Sequence, residues 1–226
     1  MLTNGRMFIG TPYVAGTLER GDEEQLIINR QEVDCTTFVE YVLALSLSSE
    51  AEEFATNLQR IRYRDSKIDS YTSRLHYISD WINNGVRNNF LEDVTATNSS
   101  YTQKLNVSYM STNPHLYKQL AHSPANVAKM KVYEQALTGQ EIHWLPQDKL
   151  PATGMPWIKD GDIIAITTKT QGLDVAHMGI AAYHNSELHL LHASSAQGKV
   201  ILDALPLNSL LKRNSRWTGI RVFRMK

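Results

Sequence analysis

The chain lacks several features that would by themselves fix its class. It has one cysteine in 226 residues, so no intrachain disulfide can form. No run approaches the roughly 20 apolar residues that a membrane-spanning helix needs, and the stretch from Met1 to Arg6 has no apolar segment typical of a signal peptide. This predicts either a cytoplasmic protein or a mature form given a start Met.

Net charge is also missing, because Lys plus Arg and Asp plus Glu both number 23. No overall field therefore attracts nucleic acid or an anionic membrane surface. Gly-rich phosphate loops and basic–aromatic stripes are absent as well. We expect no nucleic-acid partner and no membrane span.

Hydrophobic residues make up 42% of the chain, enough for a full core without disulfides or metal. Helical patterns dominate the first part, and residues 114–138 also look helical. Strand patterns follow from Ile142, and an early one covers Leu26 to Ile28. The later candidate strands are 162–167, 177–183, 187–193, 199–202 and 219–224. This order predicts an α+β domain over residues 1–226, with N-terminal helices packed on an antiparallel sheet of five to six strands.

The clearest helix runs from Asp34 to about Leu47. Its apolar residues recur at steps of three and four, which gives the helix one apolar face. Asp34 is a good N-cap, because its carboxylate can accept the free amide protons of the first turn. Cys35 then occupies the first helical position, where the helix dipole and unpaired amides favour a thiolate. This position indicates a working thiol more than a core cysteine.

A cysteine nucleophile needs a base, usually a histidine that a third polar group orients. His177 begins one late strand, and His192 lies near the end of the next. A hairpin turn near Asn185 would bring these two positions together. The sequence therefore predicts a Cys35–His177–His192 constellation in which His192 holds His177 in the useful tautomer.

Two alternatives use other residues. A zinc site from His184, His189 and His192 has spacing that fits neither a helical pair nor a usual finger pattern. The acidic pairs 23–24 and 52–53 could suggest a glycosidase dyad, but we interpret them as solvated surfaces. We therefore expect no metal ion and no cofactor.

Five motifs in order resemble the NlpC-type cell-wall cysteine peptidases, which have a papain-like fold. The motifs are Gly10-Thr11-Pro12-Tyr13, Asp34-Cys35-Thr36-Thr37-Phe38-Val39, Lys159-Asp160-Gly161-Asp162-Ile163, His177-Met178-Gly179-Ile180 and Leu191-His192-Ala193-Ser194. The resemblance implies a papain-like fold with Cys35 as nucleophile, His177 as base and His192 as third member. It also implies that Tyr13 lies near the thiol and assists the oxyanion or the substrate.

The family's Ser-Gly after the cysteine is replaced here by Thr36-Thr37. Together with Gly16-Thr17-Leu18-Glu19 and a long middle region, around 63–145, this resembles the N-acetylmuramoyl-L-alanine amidase-like branch, which acts on anhydro-muropeptides. The middle region is then expected to be a substrate-recognition insert. The residues expected to bind substrate are Glu19, Asp34, Thr36, Thr37, Trp144, Met178 and Ser194, with Trp157 as a further ring for sugar stacking.

The resemblance implies an amidase that cleaves the lactyl–L-alanine amide of peptidoglycan fragments through a thioester. Two alternatives stay open, a γ-D-glutamyl-diaminopimelate endopeptidase and a catalytically silent peptidoglycan-binding module. We expect a monomer whose partner is a disaccharide-peptide. Such fragments arise outside the cytoplasmic membrane, so we expect a periplasmic or cell-envelope location.

Overall fold

The computed structural model describes residues 1–21 and 23–226. The helices are α1 (Leu2–Arg6), α2 (Cys35–Leu47), α3 (Glu53–Arg62), α4 (Ile78–Arg87), α5 (Val94–Asn98), α6 (Tyr109–Thr112), α7 (Lys118–Ala121), α8 (Pro124–Leu137) and α9 (Leu207–Arg213). The strands are β1 (Leu91–Asp93), β2 (Thr102–Lys104), β3 (Glu141–His143), β4 (Leu145–Pro146), β5 (Ile163–Thr168), β6 (Val175–His184), β7 (Glu187–Ser194), β8 (Lys199–Leu202) and β9 (Trp217–Met225). The α+β class predicted from the sequence is confirmed.

The main sheet has the strand order β1-β9-β5-β6-β7-β8, and β4 also pairs with β9. Every pairing in it is antiparallel. The five late strands that the sequence predicts all belong to this sheet. It has seven strands where five or six were expected, because the two short strands β1 and β4 both pair with β9. The smaller sheet joins β2 to β3.

The strand predicted at residues 26–28 is wrong. Side chains from the neighbouring helices bind the backbone of this segment instead. The carbonyl of Ile27 accepts a hydrogen bond from Arg62 Nη1 at 2.7 Å, and the N–H of Asn29 donates to the Tyr41 hydroxyl at 2.9 Å. With these partners the segment satisfies backbone groups without pairing to a strand.

The helix predicted over 114–138 is interrupted. Pro114 opens a single 3₁₀ turn, and α7 and α8 follow as separate helices. Pro124 occupies the first turn of α8, and the Ser123 side chain accepts the N–H of Asn126 at 3.2 Å as a cap. A proline is tolerated in a first turn because it has no N–H to satisfy, and it cannot continue a preceding helix.

Apolar side chains pack on both faces of the main sheet. Helix α2 packs against β6 and β7, and its buried residues join Met178, Ile180 and Leu191 in one core cluster. On the other face α9 packs against β7 and β9. A third cluster lies within the middle region and includes Tyr77, Leu120 and Met130. The expected insert around 63–145 therefore has apolar packing of its own, while β1 and β4 join it to the main sheet.

A buried ion pair joins helices α2 and α3. Glu40 on α2 and Arg62 on α3 are 2% and 1% exposed, and Arg62 Nε lies 2.7 Å from Glu40 Oε2. Burial raises the pKa of Glu40, an effect that the Arg62 charge opposes. Removing one partner from such a pair leaves the other charge buried without compensation. The same arginine binds Ile27, so the pair also fixes the segment that leads to Cys35.

Glu40→Gln should therefore destabilise the protein strongly. We expect the free energy of unfolding to fall by about 3–5 kcal/mol, the usual cost of an unpaired buried charge. Urea unfolding followed by circular dichroism measures it. The matched control is Asp65→Asn, because Asp65 and Arg87 form an exposed pair at 3.7 Å, and exposed pairs contribute little. Equal losses in the two variants would contradict the argument.

Candidate active site

Cys35 begins helix α2, and a capping box fixes this helix start. Asp34 is the N-cap residue, and its Oδ1 accepts the N–H of Thr37 at 2.8 Å. In return the N–H of Asp34 donates to Thr37 Oγ1 at 2.9 Å. The predicted N-cap is confirmed. This box satisfies amides on either side of Cys35 and orients the first turn, so the thiol lies at the positive end of the helix dipole.

The Cys35 thiol is partly buried and has polar neighbours. The backbone N–H groups of Met178 and of Cys35 itself lie near enough to Sγ to lower its pKa, and Thr36 Oγ1 lies 4.0 Å away. The pKa of Cys35 is raised to about 11, because burial and the Asp34 carboxylate raise it more than these neighbouring groups lower it. At neutral pH the Cys35 side chain is therefore a protonated thiol.

The His177 side chain lies next to a β-bulge. Ile166 of β5 pairs with His177, but the next residue, Thr167, pairs with Val175, so Ala176 is extra. A bulge of this kind redirects the neighbouring side chain. His177 Nε2 lies 2.6 Å from His192 Nδ1, and its ring stacks on Trp217 with centroids 5.8 Å apart. Burial, with a contribution from His192, lowers the pKa of His177 to about 3.

The Cys35 thiol lies beside the backbone at Met178, the residue that follows His177. The backbone N–H of Met178 lies near Sγ and lowers the pKa of the thiol. In the described part of the chain no hydrogen bond links Sγ to the His177 ring itself. His177 Nε2 is bound to His192, which leaves Nδ1 as the ring nitrogen available for a thiol proton. The structure thus brings Cys35, His177 and His192 into one neighbourhood.

Tyr13 belongs to the same neighbourhood. It forms a parallel bridge with Val33, two residues before Cys35. Burial raises the pKa of the Tyr13 hydroxyl, and the charges of Cys35 and Asp34 raise it further, which reflects their closeness. The phenol therefore stays protonated and can donate a hydrogen bond near the thiol.

Three residues expected to bind substrate are engaged in the fold. Thr37 is 1% exposed and its hydroxyl belongs to the capping box. The Met178 side chain lies in the core under α2, so its backbone N–H is the part that meets the thiol. Ser194 is buried and its Oγ accepts the N–H of Gln197 at 3.3 Å. Of the predicted set, Asp34 and Thr36 are the partly exposed ones beside Sγ.

Glu19 lies in an ion-pair cluster. Its Oε1 accepts from Arg74 Nη1 at 2.9 Å, and Arg74 also binds Glu24 Oε2 at 3.0 Å. Glu19 Oε2 is covered by protein and has no hydrogen-bond partner among residues 1–21 and 23–226. The interpretation of Glu24 as a solvated residue is wrong, because its side chain is 7% exposed and also accepts from the Tyr63 hydroxyl.

Trp144 packs against the last strand of the sheet. A Cβ on Gly219 would lie 2.2 Å from the Leu145 carbonyl oxygen and 2.8 Å from the Trp144 ring, so only glycine permits this approach. Trp217 lies two residues before Gly219 and stacks on His177. Trp157, by contrast, packs against the core cluster on the α9 side of the sheet.

The sequence did not point to two of the residues at this site, Trp217 and Asp203. His192 Nε2 lies 3.4 Å from Asp203 Oδ2. A signal for Asp203 existed, since it directly follows β8, the strand that pairs with the strand of His192. Trp217 gave no local signal, because its contact with His177 depends on β9 and β6 both pairing with β5.

The alternative zinc site is not supported by the geometry. His189 Nδ1 donates to the Asp203 carbonyl at 2.9 Å, and His192 is bound to His177 and to the Asp203 carboxylate. Within residues 1–21 and 23–226, no group of three His, Cys, Asp or Glu side chains could hold a metal ion. In the same residues no helix is long and apolar enough to cross a membrane.

Replacing the N-cap carboxylate should make the thiol more reactive. Asn caps a helix as well as Asp does, so Asp34→Asn keeps the cap and removes a charge that raises the pKa of Cys35. The thiolate is the reacting form, so alkylation at pH 8 should become several-fold faster. In both proteins the alkylation rate should rise with pH as the thiol loses its proton, and in the unmodified chain the rise should be centred on the Cys35 pKa of about 11.

Mass spectrometry of iodoacetamide-treated protein measures this at a unique site, since Cys35 is the single cysteine. The matched control is Asp93→Asn, another N-cap aspartate, which accepts the N–H of Ala96 at 3.0 Å. Its alkylation rate should equal that of the unmodified protein. A slower or unchanged rate in Asp34→Asn would argue against the electrostatic account.

Solved structures resemble this chain over its whole length. An N-acetylmuramoyl-L-alanine amidase from Bacteroides uniformis is 62% identical, with a TM-score of 0.99 and coverage of 100% of this chain and 98% of that one. A candidate xylanase from Bacteroides fragilis is also 62% identical, with a TM-score of 0.98 and full coverage of both chains. A Legionella pneumophila protein at 22% identity, TM-score 0.75, covering 99% and 87%, shares the fold.

A comparison with curated proteins finds no match. A family model described as AmiA-like, N-acetylmuramoyl-L-alanine amidase-like, matches residues 3–220. That match extends over nearly the whole chain and contains every residue of the site described above. The chain therefore belongs to the AmiA-like family of N-acetylmuramoyl-L-alanine amidase-like proteins.

Proposed function

We propose that this chain is a cysteine-dependent amidase that hydrolyses the N-acetylmuramoyl-L-alanine amide bond of peptidoglycan fragments, with anhydro-muropeptides as substrates. The observation that carries the proposal is the His177 Nε2–His192 Nδ1 contact of 2.6 Å, next to a thiol at the start of α2. The family model and the relative named an amidase at 62% identity support the bond that is cut. On this proposal the fold is papain-like and of the NlpC type.

The first chemical step follows from the protonation states. His177 has a pKa lowered to about 3, so it is neutral at pH 7 and able to accept a proton. Cys35 has a pKa raised to about 11, so it enters the reaction as a thiol. Sγ attacks the lactyl carbonyl carbon while its proton passes to His177 Nδ1. General-base assistance of this type removes the need for a preformed thiolate.

The developing oxyanion needs hydrogen-bond donors in fixed positions. The backbone N–H of Cys35 is one, because it already lies close to Sγ, and the Tyr13 hydroxyl is the proposed second. Protonated His177 then gives its proton to the leaving amine of L-alanine, which breaks the C–N bond. Water, deprotonated by His177, resolves the thioester and releases the lactyl carboxylate with a free thiol.

Substrate contacts are proposed on the exposed side of this site. Trp144 and Trp217 would present rings to the sugar, with Asp34, Thr36 and Glu19 as polar neighbours for the stem. Because Thr36 and Thr37 replace Ser-Gly, the subsite that accepts a free L-Ala amine in the resembled family is altered. This favours a cut at the sugar end of the peptide over one between γ-D-Glu and diaminopimelate.

A glycosidase is a weaker interpretation of the same chain, suggested by the name of one relative. Glycoside hydrolysis uses two carboxyl groups on either side of the scissile bond. Glu24 forms an ion pair with Arg74 and accepts a hydrogen bond from Tyr63. Glu53 Oε2 accepts the N–H of Ser49 at 2.7 Å. The reacting groups at the described site are a thiol and two imidazoles, which suit acyl transfer.

We further propose that the protein works as a monomer in the periplasm or cell envelope, where such fragments arise. Fractionation of cells that express the native gene tests the location, and sedimentation of the purified protein tests the oligomeric state. Recovery in the cytoplasmic fraction, or a stable dimer, would overturn the corresponding statement.

Variants at the nucleophile and base should abolish turnover. We expect Cys35→Ala and His177→Ala to lower kcat by at least about 10³-fold, since members of a catalytic unit fail together. Turnover of a purified anhydro-muropeptide, followed by chromatography, measures the loss. The matched control is His184→Ala, an exposed histidine at the other end of β6, which should retain activity. Retained turnover in Cys35→Ala would refute the thioester route.

The products identify the bond. An amidase gives a free sugar and an intact stem peptide, whereas the endopeptidase alternative leaves L-Ala-γ-D-Glu on the sugar. Mass spectrometry of the digest distinguishes the two sets of products by mass. Xylan incubated in parallel tests the glycosidase hypothesis. A silent binding module would yield no product in any of these assays while still binding the muropeptide.

A further inference from the structure

Asp203 is held by its backbone and by one of its carboxylate oxygens. Its N–H donates to the Leu190 carbonyl at 2.8 Å, and its own carbonyl accepts from His189 Nδ1 at 2.9 Å. Oδ1 accepts the N–H of Leu205 at 2.9 Å. These three contacts leave Oδ2 directed at His192 Nε2, 3.4 Å away.

The hydrogen positions in the chain of contacts follow from this arrangement. An ionised carboxylate only accepts, so the His192 nitrogen that faces Asp203 must carry hydrogen. His192 is buried, which favours its neutral form, and a neutral imidazole has one N–H. Its Nδ1 is therefore an acceptor. His177 Nε2, at 2.6 Å, must then be the donor, which leaves the lone pair of His177 on Nδ1.

We infer that Asp203 is a positioning residue that sets the tautomers of His192 and His177 so that His177 Nδ1 is free to accept the Cys35 proton. This inference rests on the proposed roles of Cys35 and His177. When His177 becomes positively charged in the reaction, His192 Nδ1 accepts a hydrogen bond from His177 Nε2. The Asp203 carboxylate then stabilises the positive charge through His192. The aspartate does this without touching the substrate.

Asp203→Asn separates the two functions of the side chain. An asparagine Oδ1 can still accept the N–H of Leu205, but the amide can donate to His192 Nε2 and so reverse both tautomers. We expect kcat on an anhydro-muropeptide to fall by about 10²-fold or more, below a limit of about 10⁴-fold for a wrong tautomer in a hydrolase triad. KM should stay within about twofold, because no substrate contact is lost.

The matched control is Asp160→Asn. Asp160 also accepts a backbone N–H, that of Tyr183 at 2.7 Å, but among the residues that the structure describes no hydrogen bond links it to a histidine. This variant should keep the unmodified kcat. Asp203→Glu retains an ionised acceptor and should recover part of the activity that Asp203→Asn loses, whereas a purely structural role predicts no such recovery.

A spectroscopic readout tests the inference without turnover. Long-range proton–nitrogen correlation spectra distinguish protonated from unprotonated ring nitrogens, and His177→Ala and His192→Gln assign the signals. We expect His177 to carry hydrogen on Nε2 in the unmodified protein and on Nδ1 in Asp203→Asn. Unchanged tautomers in Asp203→Asn would overturn the inference.

The outcomes also separate this inference from the proposed function. If the unmodified protein releases no stem peptide, the amidase proposal fails, yet the tautomer measurement still decides the role of Asp203. If the unmodified protein is active and Cys35→Ala is not, full kcat in Asp203→Asn overturns the inference alone.

Discussion

The packing of α2 against β6 and β7 is the contact on which the other features of the site depend. The helix carries Cys35 at its first position, β6 carries His177, and β7 carries His192. Apolar residues between the helix and the sheet fix the distance between these elements. The Asp34–Thr37 capping box then fixes where the helix begins. Without both, the thiol would not meet the peptide N–H of Met178.

Burial explains the protonation states at the site. The same apolar layer that positions the thiol and the imidazoles also removes water from them, so the pKa of the thiol rises and that of the imidazole falls. Both shifts favour neutral groups at rest. A neutral pair costs less to bury than an ion pair.

Local patterns in the sequence were sufficient for the central elements. The three- and four-residue spacing of apolar residues predicted α2. The capping Asp34 predicted that the helix begins at Cys35, which is where α2 begins. The turn at Asn185 predicted the hairpin of β6 and β7, and hence the meeting of His177 and His192. These features depend on neighbours within about twenty residues, which a single sequence makes visible.

Features that depend on distant partners were missed. The Glu24 side chain is largely covered because Arg74 and Tyr63 bind it, and nothing near residue 24 in the sequence indicates this. The short strands β1 and β4 form only because β9, far along the chain, offers them an edge. Residues 26–28 have strand-like composition, but the side chains of Arg62 and Tyr41 take their hydrogen bonds.

The hairpin turn between β6 and β7 has a further consequence. Asn185 and Ser186 both have positive φ, at 49° and 64°, as a tight two-residue connection requires, and this turn sets the register from His184–Glu187 to Ile180–Leu191. One inserted residue there would reverse the face of every later side chain on β7. The length of this turn is therefore constrained by the imidazoles at the opposite end of the hairpin, where His177 meets His192.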